Sequence, residues 1–234
     1  MIRAIQFQNK RVGSTFLQQA IDSHTDIVGI DEIFVNVARK NVIRKSGFIP
    51  YIRFGNEIPT PREYIEDVIY KTYPDKKGIS MKIMYNQVEY HAGLFDYIIR
   101  NKIPIIHVMR KNLLKQVISF YKMAENNHKP LNISADRLLQ EVKSADRENE
   151  KWKKIFKHNI KLTLYYEDII GETIDDKTYL SNNANIAICD FFKVKQQQLF
   201  ATTKKKNKDD ISLYLPNFKD VEVIFRNTKY EYMV

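Results

Sequence analysis

The residues of this chain best suited to chemistry lie near its start, in the run Lys10-Arg11-Val12-Gly13-Ser14-Thr15-Phe16-Leu17. Binding an anion takes hydrogen-bond donors and positive charge at one point, and this run supplies both. Ser14 and Thr15 carry hydroxyls, Lys10 and Arg11 carry charge, and Gly13 lets the backbone come close to a ligand. Where such a run opens a helix, the unpaired N–H groups and the dipole of the first turn add to the attraction. The chemistry expected is capture of a phosphate-like group; an incidental turn capped by Ser14 is the plain alternative. A Walker loop needs a Gly, four residues, then Gly-Lys-Ser/Thr. No Gly-Lys pair precedes these hydroxyls, which disfavours ordinary ATP or GTP hydrolysis.

For the run to act as a cradle, a strand must end and a helix begin around it. Ile2 to Gln8 reads as a strand, and Phe16, Leu17, Ala20 and Ile21 share one face of a helix from about Ser14 to Ser23. Further strands are expected at Ile27 to Ile30, Ile79 to Met84, Ile103 to Met109 and Leu162 to Tyr166. Helices are expected at Val88 to Arg100, Leu113 to Ala124, Ala135 to Phe156 and Asn185 to Phe192, with two short helical segments from Ile211 to Arg226. Alternation of this kind predicts an α/β fold: a P-loop-like parallel sheet flanked by helices on both faces. The stretch 33–75 is an insertion after the second strand, with a helix opening at Thr60, Pro61 and Glu63 as a capping box. An insertion there overhangs the carboxyl ends of the strands, where open sheets bind ligands, and is expected to hold the acceptor. No repeat or linker divides residues 1–234, so one domain is expected.

Composition narrows the function. Of 234 residues, 38 are Lys or Arg and 28 are Asp or Glu, a net charge of +10 that favours anionic ligands without naming one. The single cysteine, Cys189, excludes an internal disulfide framework and a zinc site built on several thiolates, and suits a reducing, cytoplasmic setting. No signal-like N-terminus, membrane-spanning run or metal-ligand spacing is seen, so neither a membrane partner nor a metal is expected. The run Lys204, Lys205 and Lys206 is either a solvated loop or an anion clamp.

RVGSTFL resembles the first-strand loop of the sulfotransferases that use 3′-phosphoadenosine 5′-phosphosulfate (PAPS), Lys/Arg-x-Gly-Ser/Thr-Thr/Ser-aromatic/Leu. Three further stretches are similar to the bacterial carbohydrate and trehalose-type subgroup: SHTDIVGIDEIF, with Thr25 for the usual Pro and Asp31 for the usual Gly, then MKIMYNQ and YYEDI. ISLYLPNF aligns with a run before the family's final helix. The resemblance implies that Lys10, Arg11, Val12, Gly13, Ser14, Thr15 and Phe16 bind the 5′-phosphosulfate. It also implies that Arg110 and Ser119, in IIHVMRKNLLKQVISFYKM, bind the nucleotide 3′-phosphate. Their spacing of nine is one longer than the commonest family form, which leaves Lys111 as an alternative to Arg110; Lys205 falls where the family has a lysine near the donor.

By the same resemblance, Arg11 is the catalytic residue that stabilises charge on the departing phosphate, and Glu32 is the base that takes the acceptor's proton. Asp31 and His24 are rivals for the second role, and both acids could instead cap a following helix. Lys82, Tyr85 and Gln87 either reach the acceptor or buttress the base. His107 and Trp152 read as core, and Tyr166, Glu167 and Asp168 as caps of the next segment. The function expected is transfer of a sulfonate from PAPS to a hydroxyl of a carbohydrate or small metabolite, leaving 3′-phosphoadenosine 5′-phosphate (PAP). The alternatives are a basic nucleic-acid-binding protein, against which the scatter of its basic residues speaks, and a P-loop-like nucleotide-binding protein or kinase.

Overall fold

The computed structural model describes residues 1–34, 60–91, 93–124, 130–203 and 210–234. Five parallel strands form the main sheet: β1 (Ile2–Gln8), β2 (Ile27–Ile30), β3 (Gly78–Met84), β4 (Ile105–Met109) and β5 (Ile160–Tyr165), in the order β2-β3-β1-β4-β5. The first strand of the sequence is thus the central one. From β1 the chain goes to the edge at β2, returns to β3 beside β1, and then crosses to β4 and β5 on the other side; the crevice at the carboxyl end of β1 is where open α/β sheets take ligands.

Helices cover both faces because the strands alternate in what they present. Ala4, Ile106 and Val108 face one layer, formed by α1 (Ser14–Asp22) and a later helix bearing Ile188, Cys189 and Phe192. Ile5, Phe7, Ile83 and Ile105 face the other, with Tyr64, Ile65, Leu94, Ile98, Trp152 and Phe156. Strands buried on both sides in this way belong to parallel sheets.

Of the insertion, 35–59 lies outside the described residues. Its helix opens as the sequence predicts: Thr60 Oγ1 accepts from Glu63 N at 3.3 Å, and Glu63 Oε2 accepts from Thr60 N at 2.7 Å. It runs as α2 (Pro61–Glu63), a π-helical stretch Tyr64–Ile69, and α3 (Tyr70–Thr72). After β3, the helix expected over Val88 to Arg100 is two, α4 (Tyr85–Tyr90) and α5 (Leu94–Arg100). The break falls before Gly93, whose φ of 83° is left-handed and cannot continue a helix.

Two helices follow β4: α6 (Leu113–Ala124) and α7 (Ala135–Ile155), which pack together with the C-terminal segments in a third apolar cluster. Beyond β5 and the short α8 (Tyr166–Ile169) comes a feature the sequence reading lacks. A second, antiparallel sheet is built from β6 (Ile170–Ile174), β7 (Lys177–Leu180) and β8 (Phe200–Ala201). The helix α9 (Asn182–Phe192) lies between β7 and β8, and α10 (Phe218–Phe225) near the end. No helix among the described residues is long and apolar enough to cross a membrane.

Candidate active site

The turn from Gln8 to Ser14 is held by several side chains. Arg11 and Gly13 both adopt left-handed backbone, with φ of 64° and 76°, so the chain doubles back before α1 begins. A β-carbon added to Gly13 would fall 2.0 Å from Cδ2 of Tyr166, so glycine is required here for space as well as for conformation. Three side chains prop the turn's carbonyls. Gln116 Nε2 donates to Lys10 O at 2.9 Å, Gln6 Nε2 to Ser14 O at 2.9 Å, and Arg110 Nη1 to Arg11 O at 3.4 Å. Asn9 Nδ2 donates to Glu148 Oε2 at 2.8 Å and ties the turn to α7. With its carbonyls bound from behind, the turn is set to offer N–H groups, and the first turn of α1 adds donors that have no carbonyl within the helix.

Two guanidiniums converge on this turn. Arg11 Nε donates to Ser119 Oγ at 3.0 Å. Arg110 stands behind, its guanidinium 4.8 Å from the centre of the Tyr166 ring and its Nε 3.5 Å from Glu167 Oε1. That contact is an ion pair rather than an aligned hydrogen bond, and the buried Nε–H has no bonded acceptor. Burial depresses the proton affinity of both groups; for Arg110 the charge of Glu167 opposes this and the charge of Arg11 adds to it. Two like charges held together are costly, and an anion between them relieves part of that cost.

The sequence left Arg110 and Lys111 as rivals, and the structure gives them different neighbours. Lys111 is half exposed, with Nζ 2.6 Å from Asp168 Oδ1, and this hydrogen bond raises its proton affinity. Arg110, Arg11 and Ser119 are the set brought together. Lys10 is exposed, its Nζ 5.4 Å from the centre of the Phe120 ring. Lys205 lies outside the described residues.

The carboxylates of the β2 loop stand close by. Lys82, buried on β3, places Nζ 3.1 Å from Thr15 Oγ1, 3.1 Å from Asp31 Oδ1 and 3.1 Å from Glu32 Oε1. Asp31 Oδ1 also accepts from Glu32 N at 2.8 Å. Gln87 fixes the far side of the loop: its Oε1 accepts from Met84 N at 2.8 Å and its Nε2 donates to Phe34 O at 3.0 Å. Gln18 Nε2 donates to Ile30 O and Ser80 O, both at 2.7 Å, and locks the end of β2 to α1 and β3. Glu32 is therefore one lysine away from the glycine turn.

His24 is not part of this arrangement. It follows α1 and precedes β2, at the amino ends of the strands, whereas the turn and the acids lie at the carboxyl ends. Its Nε2 donates to Lys195 O at 2.9 Å and its Nδ1 accepts from Asp26 N at 2.9 Å, so both nitrogens serve local structure. The shallow depression beside it, lined by His24, Thr25, Asp26 and Lys195 among others, shares no residue with the turn. His107 bonds Tyr85 Oη within the core, and burial lowers its pKa to about 4. Trp152 stacks on Phe156, also in the core.

Four props went unseen in the sequence: Tyr166, Gln116, Gln6 and Asn9. Gln116 carried a usable signal, because Gln116, Ser119 and Met123 recur at helical spacing on one face of α6. Tyr166 carried none, since its contact with Gly13 depends on β5 lying two strands from β1. Glu167 does cap, as the sequence suggests, but not its own successor: it accepts from Lys111 N at 2.8 Å and Asn112 N at 3.2 Å, ahead of α6.

No protein-family model matches the chain, and no curated protein matches it. Among solved structures, a sulfotransferase from Alicyclobacillus acidocaldarius is similar over 99% of each chain, with a TM-score of 0.47 and 11% identical residues.

Proposed function

We propose that this protein is a sulfotransferase that moves the sulfonate of PAPS to a hydroxyl of a carbohydrate or small metabolite and releases PAP. The observation that carries the reading is the convergence of Arg11, Arg110 and Ser119 on a glycine turn at the head of α1. A nucleotide bearing both a phosphosulfate and a separate 3′-phosphate needs two cationic points, and two guanidiniums are provided. The donors at Gly13, Ser14, Thr15 and Phe16 suit the phosphosulfate, with Lys10 and Val12 completing the turn.

In the reaction the acceptor oxygen attacks sulfur from the side opposite the bridging oxygen. An O–S bond forms, the S–O bond to phosphate breaks, and PAP leaves with that electron pair. Arg11 and the N–H groups of the turn hold the charge that grows on the departing phosphate. Glu32 takes the proton that the hydroxyl loses, with Asp31 beside it. Lys205 is proposed, from the family resemblance alone, as a further donor contact.

Thermal melting with PAP, ATP and a mixed oligonucleotide tests the reading. PAP at a hundred times its Kd is expected to add ~2.7 kcal/mol of stability, while the others add little. Stabilisation by the oligonucleotide alone would overturn it. Hydroxylated metabolites can then be screened with a donor labelled in its sulfonate.

A further inference from the structure

We infer that Lys82 is a positioning residue that couples the donor turn to the proton acceptor, an inference that rests on the sulfotransferase reading. An ammonium has three N–H donors. In Lys82 each has a partner at 3.1 Å: Thr15 in the turn, and Asp31 and Glu32 in the β2 loop. The side chain is 3% exposed, so water does not take the place of a lost partner. Lys82 sits opposite Gln6 in the β1–β3 register and rises between the two segments that donor and acceptor must share.

Lys82 stands between two carboxylates and a turn suited to an anion, and its contacts fix where Glu32 points. It also donates to the Thr15 oxygen, which leaves the Thr15 hydrogen available to a ligand in the turn. A sulfonate arriving there brings new negative charge into competition with the carboxylates for the same ammonium. As Lys82 is drawn toward the donor its hold on Glu32 loosens, and the carboxylate becomes available for the acceptor's proton. PAP lacks the sulfonate, so after transfer Lys82 returns to the acids. Proton removal is thereby tied to a loaded donor site.

A double-mutant cycle tests this. Lys82→Met is expected to cut kcat ~10²-fold, the scale of a displaced catalytic group, while PAP affinity in calorimetry stays near wild type and Lys82→Arg recovers part of the loss. Glu32→Gln/Lys82→Met should be scarcely slower than Glu32→Gln alone, because residues acting as one unit lose their effect once. Losses that multiply, or a Lys82→Met variant that loses PAP binding in step with kcat, would overturn the coupling. If Lys82→Met does not fold, the same comparison is made with Lys82→Arg and Lys82→Gln. A wild-type chain that neither binds PAP nor transfers sulfonate overturns the sulfotransferase reading together with the inference; an active wild type with multiplying losses overturns the inference alone.

Discussion

Arg11 combines a left-handed backbone with a guanidinium pinned by Ser119, so its side chain is aimed before any ligand arrives. Replacing it with alanine is expected to lower turnover by about 10²–10³, the effect of removing one charge-stabilising donor, in a steady-state assay with PAPS. Glu32→Gln should cut transfer by ~10² or more, as for a lost general base, yet leave PAP binding nearly intact by calorimetry. Equal losses of binding and rate would mark Glu32 as structural. At this scale the sequence was readable where contacts are local. Lys10 to Leu17 reads as a turn from strand into helix in eight consecutive residues, as the structure has it. The different surroundings of Arg110 and Lys111 were not readable, because they depend on Glu167 and Asp168, which only the folded chain brings alongside.

Gly13 shows how an element depends on its neighbour. Gly13→Ala is expected to cost roughly 1–2 kcal/mol for the left-handed backbone alone, and more because the new methyl meets the Tyr166 ring. Urea melts should show the loss, and Gly13→Ala/Tyr166→Ala should recover part of it; no recovery would mean the ring is not what blocks the position. The strands of the main sheet and α6 were legible from their periodicity, and the helix at Thr60 from its capping box. The small antiparallel sheet was not. Its β6–β7 hairpin turns on Asp175 and Asp176, with φ of 46° and 63°. An Asp-Asp pair in left-handed backbone is a far weaker signal than Asn-Gly. The break between α4 and α5 was missed because the apolar spacing runs on through a residue whose conformation stops the helix.

The molecule as a whole carries a buried titratable load in His107, inside the core beside Phe7 and Tyr85. Burial lowers its pKa from 6.5 to about 4. A group depressed in this way stays neutral when folded while the unfolded chain takes up a proton. Its contribution is whole above pH ~6.5 and drains away as pH falls toward about 4, a loss on the order of 3 kcal/mol. Urea melts at pH 7.5 and 4.5 should show less acid sensitivity in His107→Gln than in wild type; equal sensitivity would place the effect elsewhere. The props of the β1–α1 turn also have a consequence for biosynthesis. The turn leaves the ribosome well before Arg110, Gln116 and Tyr166, which are translated much later. The nascent N-terminal segment therefore emerges without the partners that shape it, and its maturation waits on β4, α6 and β5. Late assembly of distant strands makes for slow folding and prolonged exposure of apolar surface, so chaperone demand is expected to fall on the first half of this chain.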